Sequence, residues 1–176
     1  MFLRVQTGEL TRVLAALSTT QGVRRAVAVV GDWDILLHTE GPDLETIASV
    51  VLSELHNTPG VTRTMTAPVV PADRVSITGL GGPKLPSIVE GACFVRVKAG
   101  PGATPGLVER FAALPAVAGV AVTAGEWDLL ISIPEPWEVA SGVIMDQIQP
   151  TPGVVATSTL PSLRSDDEGD PLSPWG

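Results

Sequence analysis

The first 70 residues place apolar side chains with two different periods. Leu3 and Val5 share one face of a short run that starts at Phe2, and Arg4 lies on the other face, so this period of two predicts a β-strand. An amphipathic helix is predicted next, because aliphatic residues recur at the spacing of one helical face: Leu10, Val13, Leu14 and Leu17.

Four further elements complete the pattern. Two β-branched and aliphatic runs, Val23 to Val30 and Ile35 to His38, are separated by Gly31-Asp32, a pair suited to the positive φ of a tight hairpin. A second amphipathic helix is predicted from Asp43 to Leu55, with Asp43 placed to cap it. The strand Val61 to Ala67 follows. The order is therefore strand, helix, strand, strand, helix, strand.

The same pattern returns in the second half of the chain. Gly31-Asp32-Trp33-Asp34-Ile35-Leu36-Leu37 recurs 94 residues later as Gly125-Glu126-Trp127-Asp128-Leu129-Leu130-Ile131, although the chain holds only four tryptophans. Phe2-Leu3-Arg4-Val5 corresponds likewise to Phe94-Val95-Arg96-Val97, with a shift of 92 residues. These echoes predict an internal duplication. The second copy is expected to contain strand Cys93 to Lys98, a helix with Leu107, Phe111 and Leu114 on one face, strands Val117 to Thr123 and Leu129 to Ile133, a helix from about Pro136 to Gln149, and strand Val154 to Leu160.

This element order predicts an α+β protein of two tandem ferredoxin-like βαββαβ units, each with two helices on one face of a four-stranded antiparallel sheet. The other sheet face needs a cover, and two fused copies can cover one another. We therefore expect a pseudo-dimer like a dimeric α/β barrel, formed within one chain or by exchange between chains. The expected inter-sheet residues are Phe2, Phe94, Thr62, Thr64, Thr66, Val155, Thr157 and Thr159.

Composition sets the predicted boundaries and excludes several functions. The predicted divisions are a first repeat at 1–70, a Gly- and Pro-containing linker at 71–90, a second repeat at 91–164 and a disordered acidic tail at 165–176. A net charge of −8 without a basic stripe argues against direct nucleic-acid binding. We also predict no membrane span, no secretory signal and, from the single Cys93, a reducing cytoplasmic location.

The Gly-acid-Trp-Asp-aliphatic turn, the helix before it and the Pro-Gly-Val entry to a Thr-alternating last strand resemble the effector-binding (RAM-type) domain of the Lrp/AsnC family of transcriptional regulators. The resemblance covers both copies. It implies regulation of amino-acid metabolism, an amino acid or similar small effector, and self-association or association with Lrp/AsnC-type regulators. Family members usually carry a basic helix-turn-helix before this domain, whereas residue 1 here already lies at the first strand.

The resemblance also implies where the effector binds. The implied site lies between paired domains, near the last strand and the turn between the second and third strands. Matched by motif, the implied ligand-binding residues are Gly31, Asp32, Asp34, Thr64 and Thr66 in the first copy, and Gly125, Glu126, Asp128, Thr157 and Thr159 in the second. A carboxylate such as Asp34 or Asp128 suits an α-ammonium group, and turn amides with hydroxyl donors suit an α-carboxylate. The family usually carries a smaller or tyrosine-like residue where Trp33 and Trp127 stand, which leaves the ligand open.

Each of these residues also has a purely structural interpretation. The Gly-acid pairs suit hairpin turns, and threonines are good strand formers. Asp34 and Asp128 need a partner before a buried strand, and a backbone cap or an arginine such as Arg4 or Arg96 would serve. Trp33 and Trp127 would then be core or interface anchors.

We predict a non-enzymatic protein without a cofactor or metal site. The chain has no tyrosine, and neither of its two histidines, His38 and His56, recurs in the other copy. No Cys/His cluster or phosphate-binding Gly-rich loop is present. The alternatives are a dimeric α/β-barrel enzyme, either a cofactor-free monooxygenase or haem-related, and a module that only oligomerises. A deep pocket holding His38 would favour an enzyme, and a filled interface without a cavity would favour oligomerisation alone.

Overall fold

The computed structural model describes residues 1–71 and 84–164. The first repeat has the predicted element order. Most of the predicted linker and the whole predicted acidic tail lie outside the described residues. The elements are β1 (Phe2–Val5), α1 (Leu10–Thr19), β2 (Val23–Ala28), β3 (Ile35–Thr39), α2 (Leu44–Val50), which continues as a π-helical segment (Val51–Leu55), and β4 (Val61–Met65).

The second repeat has the same order, which confirms an α+β protein of two tandem ferredoxin-like units. Each repeat forms a four-stranded antiparallel sheet, in the order β2-β3-β1-β4 and then β6-β7-β5-β8. The elements are β5 (Cys93–Ala99), α3 (Thr104–Ala112), β6 (Gly119–Val122), β7 (Leu129–Ile133), α4 (Trp137–Val143), which also continues as a π-helical segment (Ile144–Ile148), and β8 (Val154–Pro161).

Each sheet buries one face against its own two helices, as the periodicity predicts. In the first repeat Leu3 and Ile35 of the sheet pack with Val13 and Leu17 of α1. Residues Val95, Val97 and Ile131 of the second sheet pack in the same way against α3 and α4. The predicted cap is also confirmed, because the Asp43 carboxylate accepts a hydrogen bond from the Thr46 N–H at 2.7 Å. Hydrogen bonds from the backbone and the side chain of Thr46 hold the pKa of Asp43 below its usual value.

The hydrogen bonds around the two acidic turns give the true correspondence between the repeats. The Asp34 N–H donates to Leu3 O, and the Asp128 N–H donates to Val97 O, each at 3.0 Å. Leu3 therefore corresponds to Val97, a shift of 94 residues (97 − 3) rather than the predicted 92. A slip of two residues along a strand keeps every side chain on its face, so the error left the fold prediction intact. It hid one substitution: Arg96 stands where the first repeat has Phe2.

The two sheets face each other within this one chain and are joined at both edges. Val69, beyond β4, forms a bridge with Thr123, and Ser162, beyond β8, forms a bridge with Val29. The Val70 N–H and the Leu163 N–H donate to Val122 O and Ala28 O at 2.8 Å and 2.9 Å. The strands therefore follow one another in a closed circuit, β2-β3-β1-β4-β6-β7-β5-β8 and back to β2, which is a barrel-like pseudo-dimer.

A third apolar cluster fills part of the space between the sheets. It contains Phe2, Trp33 and Leu36 of the first repeat with Phe94 and Leu160 of the second. The prediction that Phe2 and Phe94 lie on the inter-sheet face is therefore confirmed. The threonines of the two last strands, which were predicted on the same face, do not all lie there.

The predicted inter-sheet position of the threonines is wrong for at least one residue in each last strand. His56, at the end of the second helix, contacts the Thr64 hydroxyl, and the Gln149 amide donates to the Thr157 hydroxyl at 3.2 Å. Both threonines therefore face the helices. The cause is a parity error, since the inter-sheet partners on these strands are the alternate residues, such as Met65 and Leu160.

The predicted tight hairpins are longer than two residues. Val29 N donates to Asp34 O, and Thr123 N donates to Asp128 O, both at 2.9 Å, so the residues between these pairs form each connection. Gly31 has a positive φ of 143°, but Asp32 does not share a positive φ. Longer connections bring the tryptophan of each motif into the turn itself.

None of the helices in residues 1–71 and 84–164 is long and apolar enough to cross a membrane.

Candidate functional site

The second aspartate of each acidic turn holds the chain of its own repeat. Asp34 Oδ2 accepts a hydrogen bond from Val5 N at 2.9 Å, and Asp128 Oδ2 accepts one from Ala99 N at 2.8 Å. The β1–β4 and β5–β8 registers shift at these same amides, where the regular ladder is interrupted. Both carboxylates thus satisfy a backbone donor that the sheet leaves unpaired. Lys98 Nζ lies a further 3.5 Å from Asp128 Oδ2.

A basic residue of the first strand fixes each turn from outside. Arg4 Nε donates to Asp32 O at 2.7 Å, and Lys98 Nζ donates to Glu126 O at 2.6 Å. Arg4 and Lys98 are equivalent under the 94-residue shift. The two acidic turns therefore share one frame of hydrogen bonds, which makes their remaining differences informative.

The first acidic turn is closed by the second repeat. Trp33 is only 4% exposed and packs against Phe2, with 6.0 Å between ring centroids. A Cβ on Gly31 would lie 2.8 Å from Leu160 Cδ2, so the turn is in close contact with β8. Trp33 is therefore shielded by this packing, whereas Gly31 and Asp32 remain exposed.

The second acidic turn is open and borders a cavity of about 570 Å³ between the two repeats. A Cβ on Gly125 would meet nothing within 4 Å. The lining is mostly apolar and comes from both sheets, from the start of α2 and the residues before it, from the segment after β4 and from the segment before β5. It includes Phe2, Leu36, Met65, Val69, Ile88 and Leu130, with the polar or charged residues His38, Thr39, Asp43, Thr66, Arg96, Thr123 and Glu126 and the aromatic Trp127.

Three of the ten predicted ligand-binding residues line this cavity: Thr66, Gly125 and Glu126. The other seven, which are Gly31, Asp32, Asp34, Thr64, Asp128, Thr157 and Thr159, are not among the described residues that line it. The two acidic turns of the sequence motif thus lie at different kinds of surface, one packed and one next to a cavity.

Arg96 is the main polar residue of the cavity that the sequence did not single out for binding. Its side chain is 2% exposed and crosses from the second repeat to the first. Arg96 Nη2 donates to both carboxylate oxygens of Asp32 at 2.7 Å and to Ser158 Oγ at 2.6 Å. Within the described part of the chain Arg96 Nε has no hydrogen-bond partner.

Two aromatic rings flank the Arg96 guanidinium. Its central carbon lies 5.3 Å from the centroid of Phe2 and 4.9 Å from the centroid of Trp127. The sequence suggested Arg96 only as a partner for an aspartate of the turns, and the corrected repeat alignment adds that this charged side chain stands where the equivalent position carries a phenylalanine.

The two histidines have different surroundings. His38 lines the cavity, and its Nε2 lies 3.6 Å from Glu40 Oε1. His56 contacts Thr64 on the helix side and does not line the cavity. Among residues 1–71 and 84–164, no group of three or more His, Cys, Asp or Glu side chains is placed to hold a metal ion.

One family model matches the first repeat of the chain. Residues 1–72 match the family model of the Lrp/AsnC ligand binding domain, which confirms the resemblance for that repeat. No curated protein matches the chain.

Three solved structures resemble parts or all of the molecule. The siroheme decarboxylase NirDL is 12% identical with a TM-score of 0.66, over 93% of this chain and 70% of that one, and so shares the fold. FFRP-DM1 is 25% identical over 39% of this chain and 92% of that one, with a TM-score of 0.37. AsnC from E. coli is 16% identical over 72% of this chain and 76% of that one, with a TM-score of 0.40.

Proposed function

We propose, from the premise that residues 1–72 form an Lrp/AsnC ligand-binding domain, that the whole chain is a non-enzymatic regulatory module with a small effector bound between its two repeats. The observation that carries the proposal is the cavity of about 570 Å³ at the repeat interface, beside the second acidic turn. This volume lies within the range of small-molecule sites, which are largely preformed and mostly apolar with a few polar groups.

The proposal treats residues 91–164 as a second repeat of the same type, joined to the first (1–70) by a linker at 71–90. The second half supports this with the same element order and sheet order as the first half. Its acidic turn is held by the same two kinds of hydrogen bond, from a strand amide and from a basic side chain.

The predicted binding residues take two roles in this proposal. Thr66, Gly125 and Glu126 contact the effector, which is an amino acid or a related small molecule, because they line the cavity. Asp34 and Asp128 position the turns through backbone amides. The five others, which are Gly31, Asp32, Thr64, Thr157 and Thr159, do not line the cavity, and the proposal assigns them no contact with the effector.

Calorimetry against the proteinogenic amino acids and small organic acids tests the proposal. We expect at least one compound to bind, and Gly125→Leu to weaken that binding because it adds a bulky side chain at a residue that lines the cavity. Gly142→Leu is the matched control, since Gly142 in α4 also has open space around its Cβ position and does not line the cavity. Binding by no compound, or equal binding by both variants, would remove the effector site from this cavity.

We propose further that the module associates with itself or with DNA-binding Lrp/AsnC-type regulators, as regulators with this domain do. Light scattering with and without the effector, alone and mixed with such a regulator, measures this directly. A single monomeric mass under every condition would leave an effector-binding protein without the regulatory assembly.

A second candidate function is an enzyme on the same scaffold, and one observation favours it: His38 lines the cavity. The test is conversion of a small-molecule substrate or binding of a haem-type chromophore, followed by absorbance, in the wild type, His38→Ala and His56→Ala. An enzyme that uses the cavity loses activity in the first variant and keeps it in the second, because His56 lies outside the cavity. A purely structural role predicts a filled interface, and the cavity beside the second acidic turn favours an effector-binding role instead.

A further inference from the structure

Arg96 carries a buried positive charge at a position where the first repeat manages with a phenylalanine. A charge removed from water is costly unless it is well paired, so this substitution is an expensive way to fill a sheet interface. The side chain is 2% exposed to solvent, yet it lines the cavity. An arginine here has a use that an apolar side chain could not serve.

The Arg96 guanidinium uses only some of its N–H donors in the hydrogen bonds described. It offers five N–H donors, and its described hydrogen bonds all start at Nη2. Both Asp32 oxygens contact that single nitrogen, whereas a carboxylate that uses the full guanidinium fork spans two nitrogens. The Asp32 side chain is also 57% exposed, so water screens its charge. Nε remains without a partner among the described residues.

Two rings hold the guanidinium without using its donors. Phe2 and Trp127 lie 5.3 Å and 4.9 Å from the guanidinium carbon, within the range of cation–π attraction. One ring comes from each repeat. Their contacts orient the cation between the sheets without occupying its N–H groups, and the unpartnered Nε has almost no solvent-accessible surface.

The remaining surroundings favour an apolar ligand body over a zwitterion. Most of the other side chains that line the cavity are aliphatic or aromatic, among them Leu36, Ile88 and Leu130. The motif carboxylates Asp34 and Asp128, which would suit an ammonium group, instead bind backbone amides and do not line the cavity. The lining carboxylates are Asp43, which caps α2, and Glu126.

From these contacts we infer that the effector is a carboxylic acid with an aliphatic or aromatic body, that its carboxylate binds Arg96 in competition with Asp32, and that an α-ammonium group is not required. This inference rests on the proposed effector function and names the ligand class of that same site. Asp32 acts as an internal substitute for the ligand carboxylate in the unliganded protein.

Matched ligand pairs test the class by calorimetry on the full chain. The pairs are 4-methylpentanoate with leucine and 3-phenylpropanoate with phenylalanine, which differ only in the α-ammonium group, and 3-phenylpropanamide removes the negative charge. We expect each simple acid to bind at least about tenfold more tightly than its amino acid, and the amide to bind at least about tenfold more weakly than its acid. Quenching of Trp127 fluorescence, absent in Trp127→Phe, locates the binding in the cavity.

Variants test the residues. Arg96→Gln should weaken binding of the acids at least about tenfold, whereas Arg63→Gln should not, because Arg63 stacks on the closed tryptophan, Trp33, at 5.2 Å and does not line the cavity. Asp32→Asn should tighten binding of the acids severalfold, since it removes the competing charge and leaves Arg96 in place. It also decides the question if Arg96→Gln fails to fold.

Three outcomes would overturn the inference. If amino acids bind tenfold more tightly than the simple acids and Glu126→Gln abolishes the difference, the ligand is a zwitterion and the proposed function stands without this inference. Unchanged or weaker binding by Asp32→Asn would exclude competition at Arg96. If no compound of either class binds, the proposed effector function fails with it.

Discussion

The two acidic turns have nearly the same sequence and the same hydrogen-bond frame, but one is part of a core and the other borders a cavity. At the first turn Trp33 is buried in the inter-sheet cluster, and Gly31 lies against Leu160. At the second turn Trp127 stacks on Arg96, and Gly125 faces open space. The difference arises in the residues that meet each turn, Phe2 and Leu160 at the first and Arg96 at the second, rather than in the turns themselves.

This contrast shows how a duplicated chain can separate stability from binding. A homodimer must place identical residues at both turns, because one sequence serves both subunits. A fused pair is free of that constraint, and here Phe2 and Arg96 occupy equivalent positions with opposite character. We therefore expect the first turn to contribute mainly to folding and the second mainly to binding.

The tryptophans should give the largest difference in stability. Trp33→Ala is expected to lower the free energy of unfolding by about 3–5 kcal/mol, because it empties a buried site, and Trp127→Ala by clearly less. Urea unfolding followed by circular dichroism measures both. Equal losses would mean that the two turns are packed alike.

The glycines should give the next largest difference. Gly31→Ala is expected to cost about 1–3 kcal/mol, because φ is 143° and the new Cβ would lie 2.8 Å from Leu160 Cδ2. Gly125→Ala, with nothing within 4 Å, should change the stability by less than about 0.5 kcal/mol. Similar unfolding midpoints for the two variants would contradict the closed and open assignments.

The aspartates should show no difference between the turns. Asp34→Ala and Asp128→Ala each remove a carboxylate from a strand amide, and each should cost about 1 kcal/mol. Glu109→Ala on the exposed face of α3 serves as a control with no expected loss. A loss of ligand binding without a loss of stability in Asp128→Ala would show instead that this carboxylate contacts the effector.

The rate at which thiol reagents modify Cys93 tests whether the core of the second repeat is less well packed than that of the first. Burial raises the pKa of Cys93 from 9.0 to about 11, so the folded state favours the neutral thiol. The stability from this group is complete below pH 9 and is lost as the pH rises from 9 towards 11. We expect thiol reagents at pH 8 to modify Cys93 at least about tenfold faster in urea than in the native protein. Fast native reaction would indicate that the second core, and not only its turn, is open.

The sequence predicted the parts of the fold that depend on local periodicity. The strand and helix order and the Asp43 cap follow from local side-chain spacing, and the duplication follows from motifs that recur about 94 residues apart. The site could be predicted only in part, because Arg96, Asp32 and Phe2 meet across the two repeats and no local pattern records such a contact. A two-residue error in aligning Phe2 with Phe94 had no effect on the predicted fold and hid the equivalence of Arg96 with Phe2.

The threonines show that a correctly predicted strand does not by itself give the orientation of its side chains. An alternating strand has two faces, and nothing in the run Val154 to Leu160 says which face meets the helices until the register with β5 is known. Thr157 pairs with Val97, which belongs to the helix-side core. A prediction of the correct strand thus still placed its side chains on the opposite face.

The bridge between Val29 and Ser162 also bears on how the protein is made. A ribosome releases the N-terminal end of a chain first, so the outer edge of β2 emerges long before residue 163, whose N–H closes on Ala28. During that interval the edge offers unpaired N–H and C=O groups to any neighbouring strand. Nascent chains on one messenger RNA would be close enough to exchange their last strands. A strand-swapped dimer of full-length chains is therefore the expected misfolded product at high expression.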